Sequence, residues 1–305
     1  METLAKHQIL ESTWIDSSPM RPSKPPAILP LVRFGFQTIG RLMPGRAAKI
    51  AFGMFTTPLS RAKHYVTDPI LESARIFEVL YGKRILKCYE WGSGEKTILL
   101  VHGWESRGTA MRSLVPVLLE RGFRVVAFDG PAHGNSEGKQ TNLVHFAGAV
   151  RAVLNQIGGA YGIITHSFGG AATSYALSWL DTNIHIEKLV LIAVPASIKR
   201  IYESTVSTLG LPPSVARRFR KIMETVMGKS IETIDSPKTF NQMSVSQGLI
   251  VHDRQDPIVS FRSAEEVADK WDAAILLETK GYGHFRLMKN PDLIEWIGRF
   301  VGEDL

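Results

Sequence analysis

Cysteine is almost missing from this chain. Cys88 is the single one in 305 residues, so no internal disulfide can form and a thiol-based metal site lacks ligands. A reducing, cytoplasmic setting is the natural expectation, although a disulfide-free secreted protein fits too. Long apolar runs are also missing: no window reaches eighteen apolar residues without a charge, so no bilayer-spanning segment is expected. Met1 to Gln8 lacks a basic patch followed by a long apolar run, so no signal peptide is expected. Repeats and low-complexity tracts are absent. What remains is an ordinary globular composition, 44% hydrophobic and 21% charged, long enough for one large core plus an insertion.

Acidic residues are scarce at one end. Residues 1–63 hold nine Lys/Arg against Glu2, Glu11 and Asp16, so this flank carries +6 of the net charge of +7. Such a flank fits anionic lipid, nucleic acid or mere solubility. Solubility is the plain reading, and no nucleic-acid partner is expected. Residues 1–27 are polar and proline-spotted (Pro19, Pro22, Pro25, Pro26), which predicts a loose arm. Next, Leu31, Val32, Phe34, Ile39, Leu42 and Met43 share one helical face, with Arg33, Gln37 and Arg41 on the other. Pro44-Gly45 stops this helix, and Ala47 to Phe55 forms a second. A basic amphipathic helix can make peripheral contact with a membrane surface. It can equally pack on the main domain or over its cleft, and that is the simpler expectation.

From residue 84 strands and helices alternate. Strands are expected at Arg84–Trp91, Thr97–Val101, Phe123–Phe128, Gly162–Thr165, Ile186–Val194, Gly248–His252 and Ala274–Glu278. Helices are expected at Gly108–Glu120, Asn142–Gln156, from Ala171, Ser263–Trp271 and Pro291–Val301. Gly92-Ser93-Gly94-Glu95-Lys96 is no phosphate loop, because it has the wrong interval and precedes a strand. The alternation lapses between Pro195 and Met243, where helical patterns over Ile198–Leu209 and Val215–Met227 make a candidate lid. Repeated strand–helix units predict a mostly parallel sheet covered on both faces. The implied layout is an arm with amphipathic helices over 1–80, a core over 81–194 and 247–305, and a helical cap insertion over 195–246.

Ligands of such sheets gather beyond the carboxyl ends of the strands. Ser167 sits between an apolar strand and a helix, with small residues around it in Thr165-His166-Ser167-Phe168-Gly169-Gly170. That context presents a serine hydroxyl on a tight bend, although an N-cap serine is the plainer alternative. A serine needs a base, and the base needs a carboxylate. His284, in Gly281-Tyr282-Gly283-His284-Phe285, is the candidate base. His102 and His133 suit structural hydrogen bonds, His166 points away from the hydroxyl, and His252 falls within a strand end. Asp256 is the candidate acid, leaving Asp253 a turn or hydrogen-bonding role. Backbone N–H groups of Phe168 and Trp104 are candidate oxyanion donors, with the Trp104 indole lining a pocket or simply packed.

These stretches, together with Asp129-Gly130-Pro131-Ala132-His133-Gly134-Asn135-Ser136 and His102-Gly103-Trp104, resemble the α/β-hydrolase fold superfamily over about residues 84–303. The departure is Thr165, where the family's G-x-S-x-G pattern has its first glycine. The resemblance implies an α/β fold with a mostly parallel sheet, a small helical cap and an N-terminal helical extension foreign to the minimal core. It implies Ser167 as nucleophile, His284 as base and Asp256 as acid, with no cofactor or metal. The expected function is hydrolysis of an ester or thioester of a small to medium acyl substrate through an acyl-enzyme. Carbon–carbon bond hydrolysis, acyl transfer or a lyase step are alternatives, as is a non-catalytic scaffold binding a membrane or partner. Oligomeric state is not legible.

Overall fold

In the computed structural model the described residues are 6–12, 14, 27–62, 68–180, 184–234 and 240–302. Most of the expected loose arm over 1–27 lies outside them. Among them nine strands form one sheet: β1 His7–Ile9, β2 Arg75–Tyr81, β3 Arg84–Trp91, β4 Thr97–Val101, β5 Arg124–Phe128, β6 Gly162–His166, β7 Ile186–Ile192, β8 Val245–Asp253 and β9 Ala274–Thr279. Their order is β1-β9-β8-β7-β6-β4-β5-β3-β2. The β2–β3 and β3–β5 pairs are antiparallel and the other six pairs are parallel. The central strands are buried on both sides, which is why they read as continuous apolar runs. Alternate residues feed opposite cores. Leu99, Val101, Val126 and Ile163 face one, while Ile98, Leu100, Val125 and Ile164 face the other.

Among the described residues twelve α-helices surround the sheet: α1 Leu29–Gln37, α2 Ile39–Leu42, α3 Pro44–Thr56, α4 Pro69–Glu72, α5 Val115–Glu120, α6 Leu143–Ile157, α7 Phe168–Tyr175, α8 Ile198–Leu209, α9 Pro213–Met227, α10 Arg262–Ala268, α11 Gly283–Arg286 and α12 Pro291–Gly302. Helices α6, α7 and α10 cover one face through Phe146, Val150, Ala172 and Val267. Helices α5 and α12 cover the other through Leu118, Ile297 and Phe300. Among the described residues no helix is long and apolar enough to cross a membrane.

Several expectations need correction. Residues 7–9 form an edge strand parallel to β9, where only a loose arm was expected. Strand β2 begins at Arg75, ahead of the expected core boundary at 81, and turns into β3 through Gly82, whose φ of +62° suits a two-residue hairpin. The helix expected from Leu31 to Met43 is two helices broken at Thr38, whose hydroxyl bonds back to Phe34 O at 2.7 Å. The helix expected over 108–120 starts as a 3₁₀ turn to Leu114 and becomes α-helical beside Pro116. Proline lacks the N–H that one continuous helix needs.

The apolar face expected on the first helix is turned outward. Val32 and Phe36 pack inward, while Leu31, Phe34, Ile39 and Leu42 are exposed. The polar stripe instead grips the insert: Arg33 Nε donates to Thr208 O at 2.8 Å and Gln37 Nε2 to Gly210 O at 2.6 Å. Those carbonyls end α8, where helical acceptors lack partners.

Candidate active site

The chain crosses from one side of β4 to the other between β5 and β6, so a crevice opens at the carboxyl ends of β4 and β6. Ser167 sits there. Its φ of +52° and ψ of −123° are strained for a residue with a Cβ, and they lift the hydroxyl off the bend between β6 and α7. The neighbours must be small. A Cβ on Gly169 would lie 2.4 Å from His102 O, and one on Gly170 would lie 2.3 Å from Val194 Cγ2. Thr165 is tolerated because its hydroxyl turns into the sheet and donates to Val190 O at 3.0 Å.

Three distant side chains meet at this bend. Nε2 of His284 lies 2.9 Å from Ser167 Oγ, and its Nδ1 lies 2.7 Å from Asp256 Oδ2. His284 is the second residue of α11, directly after Gly283, whose φ of +61° bends the chain toward Ser167. Asp256 Oδ1 accepts N–H bonds from Ile258 at 2.7 Å and Val259 at 2.9 Å, which fixes its carboxylate. Burial would raise the Asp256 pKa, but hydrogen bonds from His252 and His284 outweigh it and hold the group well below the usual carboxylate range. The dyad is therefore a fixed anion beside an imidazole whose other nitrogen faces the serine hydroxyl.

Sequence reasoning missed the support that His252 and His166 give. Buried His252 donates from Nε2 to Val259 O at 2.8 Å and stands 3.5 Å from Asp256 Oδ2. Among the described residues its Nδ1 has no partner, so the proton belongs on Nε2. His166 donates from Nε2 to the backbone O of His284 at 2.9 Å. Burial, then the neighbouring His284, lower the His166 pKa to about 3, so the ring is a neutral strut. Asp253 anchors the same corner, accepting from Thr279 Oγ1 and Tyr282 N, each at 3.0 Å. The signal for His252 was its four-residue spacing from Asp256, at the end of an apolar strand.

The loop after β4 is tied just as firmly. His102 Nδ1 donates to Gly103 O at 2.7 Å, and its Nε2 accepts Gly130 N–H at 2.8 Å. His133 repeats the scheme, with Nδ1 to Pro131 O at 2.9 Å and Nε2 accepting Glu105 N–H at 3.0 Å. Burial, then the neighbouring His133, lower the His102 pKa to about 3. Asp129, fully buried, accepts from Gly108 N at 2.7 Å, Asn135 N at 2.8 Å and the Tyr89 hydroxyl at 3.0 Å. Together these bonds press Gly103 against the bend: a Cβ there would be 3.1 Å from Ser167 Cβ. Trp104 follows immediately, its ring edge-on to Phe168 at 5.3 Å. Phe168 opens α7, where backbone N–H groups have no helical acceptor.

Ser167 opens into a cavity of about 500 Å³. Its floor is Trp104, Phe168 and Leu143. Its roof comes from α8 and α9, through Ile201 and Met223, and from Phe52 and Phe55 of α3. Phe55 meets Phe219 of α9 edge-on at 5.6 Å. The second of the two expected helices, α3, lies over the cavity, and no residue of the basic amphipathic stretch 31–43 lines it. Among the described residues no cluster of three or more His, Cys, Asp or Glu is arranged to hold a metal.

The sheet order, the strained bend at Ser167 and the strand-end loops define the α/β-hydrolase fold. A model of the alpha/beta hydrolase family matches residues 98–243. Over 139 residues the chain is 30% identical to a non-heme haloperoxidase from Rhodococcus erythropolis, covering 45% of this chain and 49% of that protein. Over 86 residues it is 35% identical to a pyrethroid hydrolase from Sphingobium wenxiniae, covering 27% and 29%. The chain thus spans about half, or less, of the length of these curated relatives. Among solved structures, an esterase from Pyrococcus furiosus matches with a TM-score of 0.59 at 18% identity, over 79% of this chain and 97% of that one. A bromoperoxidase from Bacillus anthracis matches with a TM-score of 0.57 at 18% identity, over 76% and 100%. Likeness at that identity speaks for the fold.

Proposed function

We propose that this chain is a serine hydrolase that cleaves an ester or thioester of a small to medium acyl substrate. The reading rests on one observation, the hydrogen-bonded line Ser167 Oγ to His284 Nε2 and His284 Nδ1 to Asp256 Oδ2 at the mouth of an apolar cavity. Ser167 Oγ attacks the carbonyl carbon as His284 Nε2 takes its proton, and Asp256 stabilises the imidazolium. The oxyanion is met by backbone N–H groups of Phe168 and Trp104; losing one such donor costs ~2.7–4 kcal/mol of barrier. His284 then gives its proton to the departing alcohol or thiol, leaving Ser167 acylated. Water, deprotonated by the same imidazole, attacks the acyl carbon, and breaking the Ser167–acyl bond restores the hydroxyl.

The cavity suits the acyl chain. About 500 Å³ of mostly apolar lining is within the range of small-molecule sites. Helices α8 and α9 act as a cap, with α3 completing it. The name of the pyrethroid hydrolase lends support to hydrolysis.

The test is labelling of pure protein by a fluorophosphonate, together with turnover of p-nitrophenyl esters of graded acyl length. Wild type is expected to label and turn over, and Ser167→Ala to do neither. A wild-type protein that neither labels nor turns over any of the series overturns the proposal.

A further inference from the structure

Helices α1 to α3 leave large apolar side chains in water while their inner sides pack on the molecule. Leu31, Phe34, Ile39, Leu42 and Ile50 are each 60% or more exposed, reaching 84% for Leu42. On α1 these lie away from Val32 and Phe36, which face the core. Scattered single apolar residues need no explanation, but five on three successive helices form a surface that asks for a covering.

The charge around them says which covering. From residue 17 to residue 67 the sequence holds eight Lys/Arg and no Asp or Glu. Arg41, Arg46 and Lys49 are exposed among the apolar residues. A second copy of the chain across a two-fold axis would set these cations against their own images. An acidic membrane surface would neutralise them while its acyl region takes the apolar tips. No described helix can cross a bilayer, so the contact is lateral.

The third observation joins this surface to the cavity. Helix α3 exposes Ile50 and Met54 on its outer side, while its Phe52 and Phe55 line the chamber above Ser167. One helix therefore has the surface on one side and the cavity on the other.

We infer that α1 to α3 dock the protein on anionic lipid bilayers, and that the cavity behind α3 receives lipophilic acyl substrates from that surface. The docking stands without any chemistry; the delivery rests on the ester-hydrolase reading above. In docking, Leu31, Phe34 and Leu42 enter the acyl boundary while Arg41, Arg46 and Lys49 meet lipid phosphates. The interaction is partly electrostatic, so it weakens with salt.

The experiment is flotation of the full chain with vesicles of phosphatidylcholine alone, or mixed with phosphatidylglycerol. Two variants accompany wild type: Leu31→Ser/Phe34→Ser/Leu42→Ser and Arg46→Glu/Lys49→Glu. Wild type is expected to float with the mixed vesicles in low salt and to be released by about 0.5 M salt. Each variant should lose about tenfold or more in partitioning while keeping its rate on p-nitrophenyl acetate. Lack of flotation by wild type in low salt, or equal flotation of wild type and both variants, overturns docking. So does a wild-type dimer that ignores vesicles and becomes monomeric in the Leu/Phe variant, which would assign the face to a second copy. Flotation with an inactive wild type would sink the hydrolase reading and leave docking intact.

Discussion

On the floor of the cavity, polar groups are pinned by buried partners: His102 and His133 each bridge two backbone segments, and Asp129 collects two backbone amides and a phenol. The roof is built otherwise. It consists of α3, α8 and α9 meeting through Phe52, Phe55, Phe219 and Met223, with side chain to carbonyl bonds such as Arg33 to Thr208 at its rim. Directional bonds hold a reacting geometry to within tenths of an ångström, whereas apolar contacts are non-directional and tolerate repacking. The floor is suited to fixing the chemistry, and the roof to choosing what reaches it.

Substitutions can break this contrast. The largest effect belongs to the floor: Ser167→Ala should lower turnover of a p-nitrophenyl ester ~10⁶-fold and Asp256→Asn ~10⁴-fold, with the folded spectrum unchanged. Losses under tenfold in either would end the proposed roles. Next comes Asp129→Ala, which strands the Gly108 and Asn135 amides and the Tyr89 hydroxyl. Urea unfolding should show about 1–3 kcal/mol lost per stranded donor, and an unchanged midpoint would show that the tie carries no weight. In the roof, Phe52→Ala or Phe55→Ala should lower kcat/KM about 10–200-fold for the longest acyl esters accepted, with a smaller loss on acetate. A uniform loss at every chain length would place the phenylalanines in stability and outside selectivity.

The smallest effect is a slope. His102 and His166 are buried neutral with pKa values lowered to about 3, against about 6.5 in the unfolded chain. Below that value the unfolded state binds protons that the folded state refuses, so stability present above pH ~6.5 is lost as pH falls toward 3. Each ring should contribute up to about 1.4 kcal/mol per pH unit across that window. His102→Gln should flatten the dependence of Tm on pH between 6 and 4 (roughly the span where one such ring titrates in the unfolded chain), and an unaltered slope would refute the assignment.

The contrast also explains what was legible in the sequence. Parallel strands buried on both sides announce themselves as apolar runs, and the strand ends then name Ser167, Asp256 and His284, which the structure brings together. Three-residue β1 has no periodicity to detect, and its pairing with β9 is a contact across most of the chain. The first helix misled because it is apolar on two sides. Burial follows the side carrying Val32 and Phe36, chosen by packing against other helices and not by its own pattern. His166 and His252 were seen only as failed bases, because a supporting role depends on where a neighbour's carbonyl or carboxylate falls in space.

The edge strand has a consequence for how the molecule is assembled. Residues 7–9 are made well before residues 276–278, beside which they lie. The first segment must wait unpaired until the second has been made, and closing so long a loop is entropically costly and slow. Sealing of that border is therefore expected to come last, after the sheet behind it has set.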